Sequence, residues 1–188
     1  MQWNISFDIC AFLILVLFCG YTLIMKRFKS RLNRIYDAMC VIVMGSVMLD
    51  VLGVFFVEYI DIVTPYAVYV SKMLYMLLIN ALAVGLYWYV LELVGAKKLP
   101  VVLRVLNMLP FALDAFLILS TPWLKLSIYI DENNVYHYGP YAQSLYVLSG
   151  YYILLGLIYI IRNRKKISKQ SYFAFAFFYI VLFAALAV

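Results

Sequence analysis

The chain has a single histidine, nine acidic residues and only 13% charged residues in 188, and each scarcity closes off a class of function. His137 stands alone in a polar connection and reads as a surface residue rather than a catalyst or ligand. Gly45-Ser46 has no histidine near its depth, which removes a Ser/His dyad of the kind used within bilayers. There is no HExxH, no nucleotide-binding glycine loop and no acidic pair suited to hydrolysis. Cys10, Cys19 and Cys40 lie inside hydrophobic segments, are odd in number and show no CxxC or Cys/His spacing, so they read as small buried hydrophobes. The expectation is no catalytic residue, no metal, no cofactor and no enzymatic activity in these 188 residues. Linkers rich in Pro, Gly or Ser, low-complexity tracts and internal repeats are missing as well.

What abounds is apolar surface. The residues A, V, I, L, M, F, W, Y and C make up 68% of the chain, and the mean hydropathy is +0.98. A soluble domain of this length could not hide so much, so the solvent must be lipid. A bilayer core of roughly 30 Å needs about 20 apolar residues at 1.5 Å each. That ruler gives spans at about 7–25, 35–59, 66–94, 101–120, 141–161 and 171–188. The expected fold is an all-α membrane protein, a single bundle of six transmembrane helices with one extracytoplasmic β-hairpin.

The net charge of +6 marks topology, not nucleic acid. Lys26 to Arg34, Lys97 to Arg104 and Arg162 to Lys169 hold thirteen of the fifteen basic residues, all on one side of the bundle. That side is cytoplasmic by the positive-inside rule. The opposite connections carry Glu58, Asp61, Asp131 and Glu132, with Lys125 as their exposed base. No Lys or Arg precedes the first span and a dense basic cluster follows it, so it reads as a retained helix with its N-terminus outside rather than as a cleaved signal. A multi-pass protein of the cell membrane follows, with lipid as its first partner. Trp3 and Trp123 mark the outer interface and Trp88 the inner one.

The single long connection, Thr121 to Pro140, reads WLKLSIYI, then DENN, then VYHYGP. A period-2 strand, a turn and a shorter strand predict a β-hairpin over 124–138 lying on the outer mouth of the bundle.

Polar residues inside the spans carry the remaining information. Asp50, Lys72 and Asp114 each lie six to nine residues from an outer end, which is roughly 9–14 Å deep. The three therefore share one layer, and the cost of isolated charge in lipid predicts that they face inward and satisfy one another. Helical spacing adds Ser46 and Gly53 beside Asp50, Tyr69 and Tyr75 beside Lys72, and Asn107 and Pro110 on the way to Asp114. Gln143, Tyr146 and Gly150 form a similar stripe on the fifth span, and Asn80 sits near mid-membrane on the third. Two readings compete: a polar cavity open to the outside and roofed by the hairpin, or interhelical glue that binds nothing. The ligand-binding candidates are Asp50, Lys72, Asp114, Tyr69, Tyr75, Asn107, Gln143 and Tyr146.

An N-out bundle of Tyr-rich helices with short basic inner loops and one outer hairpin, ending in Tyr136-His137-Tyr138-Gly139-Pro140 and running into the fifth helix, resembles a known pattern. It is that of the N-terminal seven-helix sensor region of bacterial histidine kinases and diguanylate cyclases. The resemblance implies a receptor for an extracytoplasmic or membrane-borne small signal, with a cytoplasmic output domain after the last helix. Six spans that start outside end outside, so it also implies that the chain continues past Val188 through a seventh helix, with any kinase or cyclase activity located there. A homodimer is compatible with this reading. The alternatives are a small secondary transporter with a charged substrate site and a structural subunit of a membrane complex. Transporters place their site at the midplane, often within paired repeats, whereas here the charged layer lies toward the outside.

Overall fold

A computed structural model describes residues 5–24, 30–60, 62–95, 100–132, 135–169, 172, 173, 175 and 177. The helices are α1 (Ile5–Ile24), α2 (Arg31–Glu58), α3 (Pro65–Leu93), α4 (Val101–Leu119), the single turn α5 (Thr121–Leu124) and α6 (Ser144–Arg162). Strands β1 (Ile128–Ile130) and β2 (Tyr136–Tyr138) lie between α5 and α6. Four helices, α2, α3, α4 and α6, are long and apolar enough to cross a membrane, and α1 is apolar over Phe12–Thr22. Most of the expected sixth span, 171–188, lies outside the described residues; Tyr172, Phe173, Phe175 and Phe177 within it are helical.

Local chemistry sets the helix ends. The Ser30 hydroxyl accepts from the Asn33 N–H at 3.1 Å and caps α2. Pro65 opens α3 at a position whose N–H would go unused. The α3 C-terminus runs into Gly95 at φ +66°, a left-handed position that glycine takes without strain.

The long α3 is the central element. It packs against α2, α4 and α6, while α1 lies along α2. Val68, Val90, Tyr87 and Tyr152 are almost completely enclosed in this centre. In contrast, Val101, Val102, Val105, Leu109, Leu113 and Phe116 leave one face of α4 open. Large side chains on an outward helix face are what lipid solvates and water does not. The bundle has two unlike ends: Arg31, Arg34, Arg104, Arg162 and Arg164–Lys166 gather at one, and the hairpin sits at the other.

The hairpin is shorter than expected. Ile128, Tyr129 and Ile130 pair antiparallel with Tyr138, His137 and Tyr136. Its expected first residue, Leu124, closes α5 instead, because Pro122 favours a helix start and Lys125, at φ 53°, turns the chain left-handed before β1. The hairpin is also sunk into the bundle. Ile128 is 1% exposed and packs with Met76 of α3 and Ile118 of α4. The Ile130 N–H donates to the Tyr69 hydroxyl at 3.1 Å. The Gly139 N–H donates to the Ser127 carbonyl and the Tyr141 N–H to the Leu126 carbonyl, both at 2.9 Å. A Cβ at residue 139 would lie 2.1 Å from the Leu126 carbonyl oxygen, so only glycine permits this closure.

Candidate functional site

The residues that sequence spacing placed in one layer occupy two levels. At the level nearer the hairpin, the Lys72 ammonium donates to Asp50 Oδ1 at 3.0 Å, joining α3 to α2. It also lies 5.7 Å from the centroid of the Tyr75 ring. Lys72 reaches this position across Gly53 of α2: a Cβ there would approach its Cε to 2.8 Å and its Nζ to 3.2 Å. The small residue one turn from Asp50 is thus the channel in which the lysine stem lies.

Asp114 does not join this pair. Its carboxylate accepts directly from the Asn80 side-chain amide, bridging α4 and α3, and the two residues are 5% and 0% exposed. Asn80 is eight residues beyond Lys72 on α3, about 12 Å deeper at 1.5 Å per residue. Asp114 lies deeper than its distance from the helix end implies because α4 ends at Leu119, below the hairpin-side end of α3. The hairpin-side end of α4 is covered by α5 and by Ile128, so five residues from the end of α4 corresponds to fifteen from the start of α3.

Asn107 lies deeper again. Its amide donates to the Tyr87 hydroxyl at 2.6 Å, and its backbone carbonyl accepts from the Tyr152 hydroxyl at 2.7 Å. That carbonyl lies next to the Leu106 carbonyl, whose helical donor is missing because Pro110 has no N–H. The phenol from α6 therefore braces α4 at its proline. Asn107, Tyr87 and Tyr152 form a clamp of α3, α4 and α6, in keeping with the glue reading for this level.

Above Asp50 and Lys72 lies an open cavity of about 810 Å³. Asp50, Lys72, Tyr75, Gln143 and Tyr146, all expected there, line it together with Tyr136 and Tyr138 of β2. Tyr69 stands outside its lining as the acceptor that fixes β1. The β2 tyrosines could have been recognised from the alternation in Tyr136-His137-Tyr138, which puts both on one face of the strand. Burial pushes the Tyr136 phenol above the ordinary tyrosine pKa, with Tyr138 and the Asp50 carboxylate adding to the shift, so this hydroxyl stays neutral. His137 faces away from the cavity: its Nε2 lies 3.2 Å from Asp131 Oδ2 and its ring stacks on Tyr129.

No family model matches the chain, and no curated protein or solved structure is significantly similar to it. Functional argument therefore rests on this geometry. Below the cavity the described side chains pack in turn: Met76 with Ile118, then the Asn80–Asp114 contact, then the cluster around Tyr87, Leu91, Leu148 and Tyr152, while a separate apolar cavity of about 500 Å³ lies between α1, α2, α3 and α6. Among the described residues there is no grouping of three or more His, Cys, Asp or Glu able to hold a metal ion.

Proposed function

We propose that the chain is the membrane-embedded sensing module of a receptor, in which a small signal enters the hairpin-side cavity and shifts the helices that line it. The observation that carries the reading is an ion pair lining a hairpin-side cavity, with packed side chains of α3 and α4 below it. A carrier needs its charged site to open alternately to both faces, and here the described side chains of α3, α4 and α6 below the ion pair are packed and clamped to one another. In the proposal the hairpin end faces outward and the basic end faces the cytoplasm, where a change in the bundle passes to an output domain. The sequence pattern shared with sensor regions of histidine kinases and diguanylate cyclases points the same way. A signal produces that shift only by binding one helix arrangement better than another.

The test uses the cavity residue Gln143. In a background with Cys10, Cys19 and Cys40 replaced by serine or alanine, a Gln143→Cys thiol is expected to react with a membrane-impermeant maleimide from the hairpin side only. Glu132→Cys and Asn163→Cys report the two faces. Labelling of the Gln143→Cys thiol from both faces, or solute counterflow in reconstituted vesicles, would replace the receptor by a transporter.

A further inference from the structure

We propose that the cavity selects a small organic ammonium, a primary amine or a quaternary nitrogen. This rests on the receptor reading and adds the chemistry of the signal. The ion pair is formally neutral but unequally presented. The Asp50 side chain retains 31% of its exposure and Lys72 only 10%. The lysine is already engaged on two sides, by Asp50 Oδ1 at 3.0 Å and by the face of Tyr75. An incoming group therefore meets carboxylate first. An anion would have to approach that carboxylate to reach the lysine.

The walls have the same preference. Tyr136 and Tyr138 meet edge to face, with centroids 5.3 Å apart and planes at 83°. Tyr75 and the largely exposed Tyr146 complete an aromatic surround above Asp50. Ring faces attract cations, most strongly where water is excluded, and a cluster of aromatic walls beside one carboxylate is the usual way to hold an alkylammonium. The hairpin end also carries Glu58, Asp131 and Glu132 against Lys125, a negative balance that favours arrival of cations. A volume of about 810 Å³ admits a molecule with substituents beyond its charged group.

The same Gln143→Cys protein in lipid nanodiscs provides the test, with the rate of maleimide labelling as readout and choline, ethylamine, glycine and acetate as probes. Choline and ethylamine are expected to slow labelling, and acetate at equal concentration is not. Asp50→Asn should raise the half-protecting choline concentration at least tenfold, and Tyr138→Leu, which removes one wall, at least threefold. The second variant keeps the test decisive if the first fails to fold. Absence of protection by both choline and ethylamine up to about 100 mM, weaker than a millimolar site, overturns the assignment. So does stronger protection by acetate or glycine, or protection unchanged in both variants. Labelling from one face with no ammonium protection would sink the ligand class and leave the receptor reading standing.

Discussion

The pairing of Lys72 with Asp50, its one acidic partner among the described residues, sets the thermodynamics of a double-mutant cycle. At 3.0 Å the gross attraction is about 5.5 kcal/mol for an effective dielectric of about 20, and desolvation of both groups removes much of it. The partners differ in what their loss leaves behind. Lys72→Met strands a carboxylate with 31% of its side-chain exposure, which cavity water can solvate, whereas Asp50→Asn strands an ammonium that is 10% exposed. The expected costs are about 1.5 kcal/mol for Lys72→Met and about 2.5 kcal/mol for Asp50→Asn, below the range for a fully enclosed pair because of that exposure. The double variant should lose about 2 kcal/mol, a coupling of about 2 kcal/mol. Asp114→Asn serves as control: it lies about 12 Å deeper on another partner and should add to Lys72→Met within about 0.5 kcal/mol. Gly53→Ala, whose Cβ would press on the lysine stem, should erase much of the coupling while leaving both charges in place. Reversible unfolding in mixed micelles gives each value. Additive costs for Asp50 and Lys72, a coupling of Lys72 to Asp114, or Lys72→Met costing more than Asp50→Asn would refute the reasoning.

The hairpin and the deeper level make separate predictions. Gly139→Ala sets a methyl against the Leu126 carbonyl, a backbone atom that cannot swing aside, so loss of about 2–4 kcal/mol and new protease cleavage in the hairpin are expected. Wild-type melting behaviour would show that the close approach is not real. Asp114→Leu leaves the fully buried Asn80 amide without its acceptor, at about 1–3 kcal/mol, whereas Asp114→Asn retains a hydrogen-bonding partner and should cost clearly less. Equal melting shifts for the two variants would mean that the Asn80 contact contributes nothing.

Much of this arrangement is readable from residue type and helical period. The apolar runs give α2, α3, α4 and α6 to within a few residues because bilayer thickness fixes their length. Asp50 and Lys72 were identifiable as partners because each lies a similar distance from the turn joining α2 and α3, a connection short enough to force antiparallel neighbours. Asp114 escaped the same logic. Its depth depends on how far α5 and the hairpin sink into the bundle, and that follows from Ile128 filling the space between Met76 and Ile118, a tertiary fit with no local signature. The role of Gly53 is of the same kind, since its sequence neighbours say nothing about a lysine stem arriving from α3. The cavity tyrosines of β2 were accessible through strand alternation once the hairpin was drawn, whereas Pro122 was the missed indication that the segment before it is helical.

The distribution of ties along α3 says which helix a ligand could move. Asn80 binds α3 to α4 through Asp114, and Tyr87 binds it to α4 through Asn107, which Tyr152 ties in turn to α6. Tyr69 binds α3 to the hairpin. These contacts are buried or part-buried, made largely of neutral groups, and tie α3, α4, α6 and the hairpin to one another. The polar ties of α2 to α3 include charged pairs: Lys72–Asp50 at the cavity and, at the basic end, Arg31 and Glu92 at 3.7 Å, with the arginine 68% and the glutamate 12% exposed. An ammonium that draws on Asp50 competes with Lys72 for the carboxylate and so weakens a charged contact between α2 and α3. On the proposed reading the moving element is therefore α2, sliding or tilting with α1 along its flank while the clamped body stays fixed, a shear rather than a rearrangement of the core. Spin labels near the basic ends of α2 and α4, at Arg34→Cys and Arg104→Cys, should change separation when choline is added to the protein in nanodiscs. Labels at Arg104→Cys and Arg162→Cys, both within the clamped body, should not. A ligand-dependent change in the second pair with none in the first would place the motion in α4 or α6 and contradict the assignment of α2 as the transmitting helix.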